Sequence, residues 1–415
     1  MAGESFRFLH ASDFHLESPL SDIDDIPEHL AESMVKAPRD AVQSIFDAAV
    51  ADNIDFVVFS GDLLKPDAAG PYGLSQLLEG FECLREMGKS VFWSTGLVDD
   101  PSRWPADLPL PDNVTVFSQS DSQIFPVHRS GRSICRVVGR SCDGNRALQL
   151  SSFALPDSEL FTVGVAYGEV QQESLSKVGC DYWALGGRHQ PTMVEHRNGY
   201  AALYPGTPQG RSLQELGHHG YQVIDVNSEG SIRVQGHVVD TYRYCRVLFD
   251  DQDLAAMGSV ENLIGEKIYR LHNEHGSRHL LIAWEYQATD ASAMGLIQNP
   301  DRLLQWARSE YGVGEPAAWS LSITIRPPDR YPQSWCEEET VLGDFLRSSS
   351  KYRELGHQEV DLRSMICDLD GVNPALIESL TDLSEPEFKD TLQRATCVGT
   401  ELLRGGPSTQ GRSQE

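Results

Sequence analysis

Positive charge is what this 415-residue chain has least of: 34 lysines and arginines stand against 61 aspartates and glutamates, a formal net charge of −27. Nucleic-acid binding draws most of its affinity from Lys and Arg neutralising phosphates. The balance therefore argues against an autonomous DNA binder. Contact with DNA is expected to be weak, or to need a metal ion, a local basic groove or a basic partner. The same charge also serves solubility, so it names no partner by itself. No run approaches eighteen apolar residues, so no membrane-spanning helix is expected. The opening Met1-Ala2-Gly3-Glu4-Ser5 lacks the basic-then-apolar pattern of a secretory signal. The 8 cysteines include no C-x-x-C pair, and Cys135, Cys180 and Cys245 sit in strand-like apolar runs. Buried thiols in a reducing cytoplasm fit them better than disulfides or zinc. Internal repeats are absent.

What is present reads as a globular α/β chain, 40% hydrophobic and 23% charged. Strand-like runs alternate with helical periodicity at the start: Phe6–His10, a helix over 37–52, Ile54–Ser60, a helix over 73–87, then Ser90–Thr95. The nearly unbroken apolar run Ile54–Ser60 predicts a strand buried on both faces. From Val114 to Val239 the runs are mostly β. The combination predicts a sheet sandwich with helices outside, over residues 1–240. Residues 241–327 read as β-α-β-α-β, a small α+β domain. The proline-rich stretch around Pro327–Pro332 marks a linker over 328–337. Residues 338–404 read as helical, with 340–349 and 374–403 as the helices, and 405–415 as a disordered tail.

The chemistry-bearing motifs fall where these strands end. Asp13-Phe14-His15 follows the first strand, Gly61-Asp62 the second and Gly96-Leu97-Val98-Asp99 the third. Tyr167-Gly168 and Gly186-Gly187-Arg188-His189 follow two later strands. Hard metal ligands gathered from loops at the carboxyl ends of successive strands are a common α/β solution. Each motif alone is weak, whereas the ordered set is strong.

In that order, Leu9–Leu16, Phe59–Leu64 and Asp181–Gly186 resemble the calcineurin-like metallophosphoesterases, and more narrowly the SbcD-type DNA-repair exonuclease branch. Tyr204-Pro205-Gly206-Thr207-Pro208-Gln209 is similar to a segment of that branch. The resemblance covers residues 5–245 closely. It implies a metallophosphoesterase β-sandwich flanked by helices, a small α+β capping domain and a helical C-terminal segment. It also implies a first divalent metal held by Asp13, His15, Asp62 and His189, with manganese as the expected ion. The second metal would share Asp62 and need an asparagine and two histidines, where this chain has Leu97, Tyr167 and Gly187. The phosphate-contacting histidine is replaced by Val98. One metal site is therefore expected and the second is not. Loss of one positioned acid–base group costs about 10²–10⁴-fold in rate, so little or no nuclease activity is expected.

Other readings of these residues stay open. The four ligands would also suit a metal-free hydrogen-bonded cluster. Tyr167 fills the space of the lost metal, or offers a phenol to phosphate. Arg188 has the fork geometry to bind phosphate, or is a solvent-facing loop residue. His218-His219 reads as loop decoration, because adjacent side chains diverge. The resemblance implies a coiled-coil ATPase partner docking on 338–404, and a homodimer. Three functions are carried forward: a weakly catalytic or non-catalytic subunit of a DNA-processing complex, an active single-metal phosphoesterase, and a phosphate-binding regulatory module.

Overall fold

The computed structural model describes residues 4–153, 155–175, 177–197, 199–288, 297, 299–326, 331–356 and 384–404. Two six-stranded mixed sheets dominate it. The first carries four parallel strands, β1 (Phe6–Ala11), β2 (Phe56–Phe59), β3 (Ser90–Trp93) and β4 (Val114–Val116). The second is built from β5 (Gln123–Arg129), β6 (Arg132–Arg140), β7 (Thr162–Tyr167), β8 (Tyr182–Gly186), β9 (Thr192–Arg197) and β10 (Tyr200–Tyr204), in the order β5-β6-β7-β8-β10-β9. Strands β11 (Gly220–Val226) and β12 (Ile232–Val238) return to the first sheet, where β11 lies antiparallel to β1 and completes the order β12-β11-β1-β2-β3-β4.

Period-two alternation decides which face each side chain meets. Phe8, Phe56 and Val58 face Val163, Val165, Tyr182 and Ala184 in the core between the sheets. Their neighbours Leu9, Val57 and Phe59 turn the other way, onto Ile45, Phe46, Leu77 and Phe81 of helices α1 (Glu28–Ala51) and α2 (Gly70–Glu86). Strands β2 and β8 are fully buried, the consequence of covering both faces. The architecture is the expected α/β one, two large mixed sheets flanked by helices.

Helix α1 starts nine residues before the expected 37–52 span and runs through Pro38. Its extra turns are held by packing, since Leu30 and Met34 join Tyr242, Trp319 and Leu321 in a separate apolar cluster. The edge strands β5 and β9 escaped the sequence reading. Both are half-exposed and polar (Gln123, His128, Glu195, His196), and β5 contains Pro126, which an edge tolerates.

By internal contacts the chain divides into two compact units, Met1–Cys245 with Glu274–Leu281 and Val313–Leu321, and Arg246–Asn273 with Ile282–Gly312 and Ser322–Glu415. Strands β13 (Tyr242–Asp250), β14 (His279–Gln287) and β15 (Ala318–Arg326) form a three-stranded sheet in that order. In the second unit Gln333–Glu337 is helical, and helix Glu385–Leu403 packs on helix Val341–Leu355, with Gly399 against the Phe345 ring. Of the expected linker, 328–330 lie outside the described residues, as do 374–383 of the expected last helix and the tail 405–415. Among the described residues no helix is long and apolar enough to cross a membrane.

Candidate metal centre

Five loops at the carboxyl ends of β1, β2, β3, β7 and β8 build the site, all within the first unit. The first two are laced together, with Asp13 N donating to Gly61 O at 2.8 Å and His15 N to Asp62 O at 3.0 Å. The lacing holds three non-glycine residues in the left-handed region: Asp13 at φ 54°, His15 at 45° and Asp62 at 52°. Such backbone costs on the order of 1 kcal/mol per residue and concentrates at functional sites. Here all three residues are expected ligands.

Asp13, His15 and His189 each place one ligand atom within 4.8 Å of the others. The two imidazoles meet edge to face, with centroids 5.0 Å apart. Each is turned by a carboxylate behind it. His15 Nδ1 lies 3.2 Å from Glu17 Oε1, and His189 Nδ1 lies 2.7 Å from Glu215 Oε1. A ring that donates Nδ1–H to a carboxylate keeps its Nε2 lone pair for a metal. His15 Nε2 is buried and finds no hydrogen-bond partner. A buried acceptor without a partner is costly, and a cation in front of it would remove that cost.

The electrostatics agree. Asp13 is completely buried, and burial followed by the charge of Asp62 pushes its carboxyl up to about 6, despite bonds from Ser12 Oγ at 2.5 Å and Gly187 N at 3.1 Å. Crowded buried carboxylates of this kind are what a divalent ion neutralises. Burial would also raise Glu215, but bonds from His189 and Arg211 overcome it and hold the carboxyl at about 2. Arg211 reaches that carboxylate at 2.8 Å from its Nη2. Two carboxylates and two imidazoles form a donor set that fits manganese, iron or zinc.

Asp62 faces two ways. Its Oδ2 lies 3.7 Å from His15 Nε2, yet the same oxygen accepts a 2.5 Å bond from the Tyr167 hydroxyl, while Oδ1 accepts from Val98 N at 2.9 Å. The Tyr167 ring is cradled by Gly61, Gly96 and Gly187, any of which would press a Cβ against it. Burial, reinforced by Asp62, raises the phenol far above its ordinary value and keeps it a neutral donor. Asp99 is a structural acceptor, taking bonds from Leu63 N, Gly96 N and the Trp93 indole.

Asp13, His15 and His189 thus meet, and Asp62 stands beside them with its Oδ2 3.7 Å from His15 Nε2. Arg188 stands apart, its guanidinium 4.7 Å over the Tyr204 ring. Sequence reasoning missed Glu17 and Glu215. Glu17 lies two residues beyond His15 and was legible in principle, whereas Glu215 is 26 residues from the histidine it orients. The reading of His219 as loop decoration does not hold. Its side chain is buried, with Nδ1 2.9 Å from Thr207 Oγ1 and Nε2 3.1 Å from Glu215 O, which braces the Glu215 loop. A cavity of about 330 Å³ opens onto the cluster, walled by His15, Asp62, Leu97, Val98, Tyr167 and His189 among others.

No protein-family model matches this chain. Over 237 residues it is 30% identical to YhaO of Bacillus subtilis, an uncharacterized metallophosphoesterase. The match takes in 53% of this chain and 57% of that protein, so the chain spans little more than half of its relative's length. The similarity supports the metallophosphoesterase superfamily, which implies use of a divalent metal, and Asp13, His15 and His189 form a cluster that could hold one.

Proposed function

We propose that this protein binds one divalent cation through Asp13, His15, His189 and Asp62, and holds or slowly hydrolyses a phosphoester there. One observation carries the reading: two imidazoles, each backed by a carboxylate, converge with Asp13 while His15 Nε2 stays buried without a partner. When bound, a metal ion would supply charge stabilisation at a phosphoryl oxygen. The chain's own groups do the rest. Glu17 and Glu215 fix the imidazole orientation, and Ser12 with Gly187 N fixes the Asp13 carboxylate. The other half of the site is closed, because Tyr167 donates to Asp62 and Val98 offers no acid or base. Turnover well below that of a two-metal enzyme follows.

The narrower reading is an SbcD-like subunit of a DNA-processing complex, with catalysis weak or lost. The motif order and the net charge of −27 favour it, since a chain this acidic needs a partner to hold DNA. The partner surface would be the helices Val341–Leu355 and Glu385–Leu403, where Val341 and Leu402 are exposed. A coiled-coil ATPase is the proposed occupant, and a homodimer the proposed assembly.

Calorimetric titration with manganese, run on wild type and Asp62→Ala beside nuclease assays of the same samples, tests the core reading. One ion per chain, with affinity at least tenfold weaker in Asp62→Ala, is expected. No binding to the wild type would sink it. Cleavage lost in the variant would favour a single-metal enzyme over a non-catalytic subunit.

A further inference from the structure

Arg146 has no role in the site described so far, yet it stands in the cavity wall, the sole lysine or arginine among the described lining residues. Its backbone is fixed there. Glu169 N donates to Arg146 O at 2.6 Å and Leu148 N to Glu169 O at 2.8 Å, directly after the turn that carries Tyr167. The approach is so close that Gly168, at φ 127°, could not carry a Cβ, which would lie 2.7 Å from Arg146 O. The side chain is exposed and makes no hydrogen bond or ion pair among the described residues. Two other donors of this wall are already used. The Tyr167 hydroxyl and Val98 N both donate to Asp62, and the Leu97 side chain is apolar.

Charge makes the same point. A single divalent ion offsets Asp13 and Asp62, leaving nothing to balance the charge that a phosphate brings. Arg188, turned onto the Tyr204 ring, does not line the cavity. We propose that Arg146 is the specificity-determining cation of this site, contacting a phosphoryl group, free or esterified, held beside the metal cluster. This deepens the one-metal reading and rests on it. Glu169, exposed in the same wall, opposes the anion and sets the sign of a control.

The test uses the full chain loaded with manganese, titrated by calorimetry with inorganic phosphate and separately with a dinucleoside monophosphate. Arg146→Ala should weaken phosphate about tenfold, the loss of one charge-assisted hydrogen bond, with manganese affinity unchanged. Glu169→Gln should tighten phosphate, and Arg188→Ala should leave it within about twofold. A loss confined to inorganic phosphate would assign Arg146 to a terminal phosphate. A loss on both probes would assign it to an internal phosphodiester, and either result supports the role. Manganese binding with phosphate affinity equal in wild type and Arg146→Ala, or with no phosphate binding at all, overturns this inference and leaves the metal site standing. Phosphate binding that depends on Arg146 in a protein that takes up no manganese would overturn the metal reading instead.

Discussion

The two sides of Asp62 are built from the same kind of strand-end loop and have opposite characters. On one side His15 and His189 converge with Asp13, and a buried imidazole nitrogen is left without a partner. On the other, Tyr167 fills a cradle of three glycines and the groups around it are paired: the phenol to Asp62 Oδ2, Val98 N to Oδ1, and three N–H groups to Asp99. An unsatisfied buried group is costly and persists where a ligand completes it. A fully satisfied one asks for nothing. The contrast teaches that the two sides of one carboxylate can differ in character through a single aromatic residue, Tyr167, packed against it.

The largest effect should come from attacking the open side at its centre. Asp13→Ala removes the carboxylate shared with Ser12 and Gly187, and manganese affinity measured by calorimetry should fall more than about 100-fold, roughly 2.7 kcal/mol. Retention of wild-type affinity would break the comparison.

Acid should next weaken the floor that both sides share. His10 is buried between Tyr182 Oη at 2.9 Å and Ser60 Oγ at 2.8 Å, and burial pushes its pKa down from 6.5 to about 3. The folded state therefore binds fewer protons than the unfolded chain. Its contribution is fully present above about pH 6.5 and is lost as the pH drops toward 3. Between pH 7 and pH 5 the loss amounts to about 2 kcal/mol. Asp13, pushed up to about 6, acts in the opposite sense over the same range because its buried carboxyl takes up a proton on folding. The His10 contribution is therefore read by urea denaturation of the metal-free protein as the difference between wild type and His10→Gln, the variant gaining about 2 kcal/mol relative to wild type between pH 7 and pH 5.

A smaller effect separates ligand from orienting group. Glu215→Gln keeps the shape and removes the charge behind His189, so manganese affinity should weaken about tenfold with the fold intact by circular dichroism. An unchanged affinity would mean that the carboxylate serves Arg211 alone. The smallest belongs to the closed side. Tyr167→Phe deletes one buried hydrogen bond and should cost about 1 kcal/mol of stability in thermal unfolding. Manganese affinity should hold or rise slightly as Asp62 Oδ2 is released, and a marked fall would show that the phenol supports the open side after all.

Much of this was written in the sequence because the information is local. The runs Phe6–Ala11, Phe56–Phe59 and Tyr182–Gly186 are apolar over their whole length or alternate with period two, and each is followed within two residues by its Asp or Gly. That made the sandwich strands and the four candidate ligands legible, and the residues Leu97, Val98, Tyr167 and Gly187 at the other expected positions could be read in the same way. The edge strands β5 and β9 were not, because an edge facing water needs no apolar signature. What only the tertiary structure decided is which long-range partners each group keeps. Glu215 reaches His189 across 26 residues, the Tyr167 hydroxyl reaches Asp62 across 105, Arg188 turns to Tyr204, and Arg146 comes to line the cavity. Hydrogen-bond partners and side-chain direction depend on how separate loops are brought together, and periodicity along one chain carries no record of that.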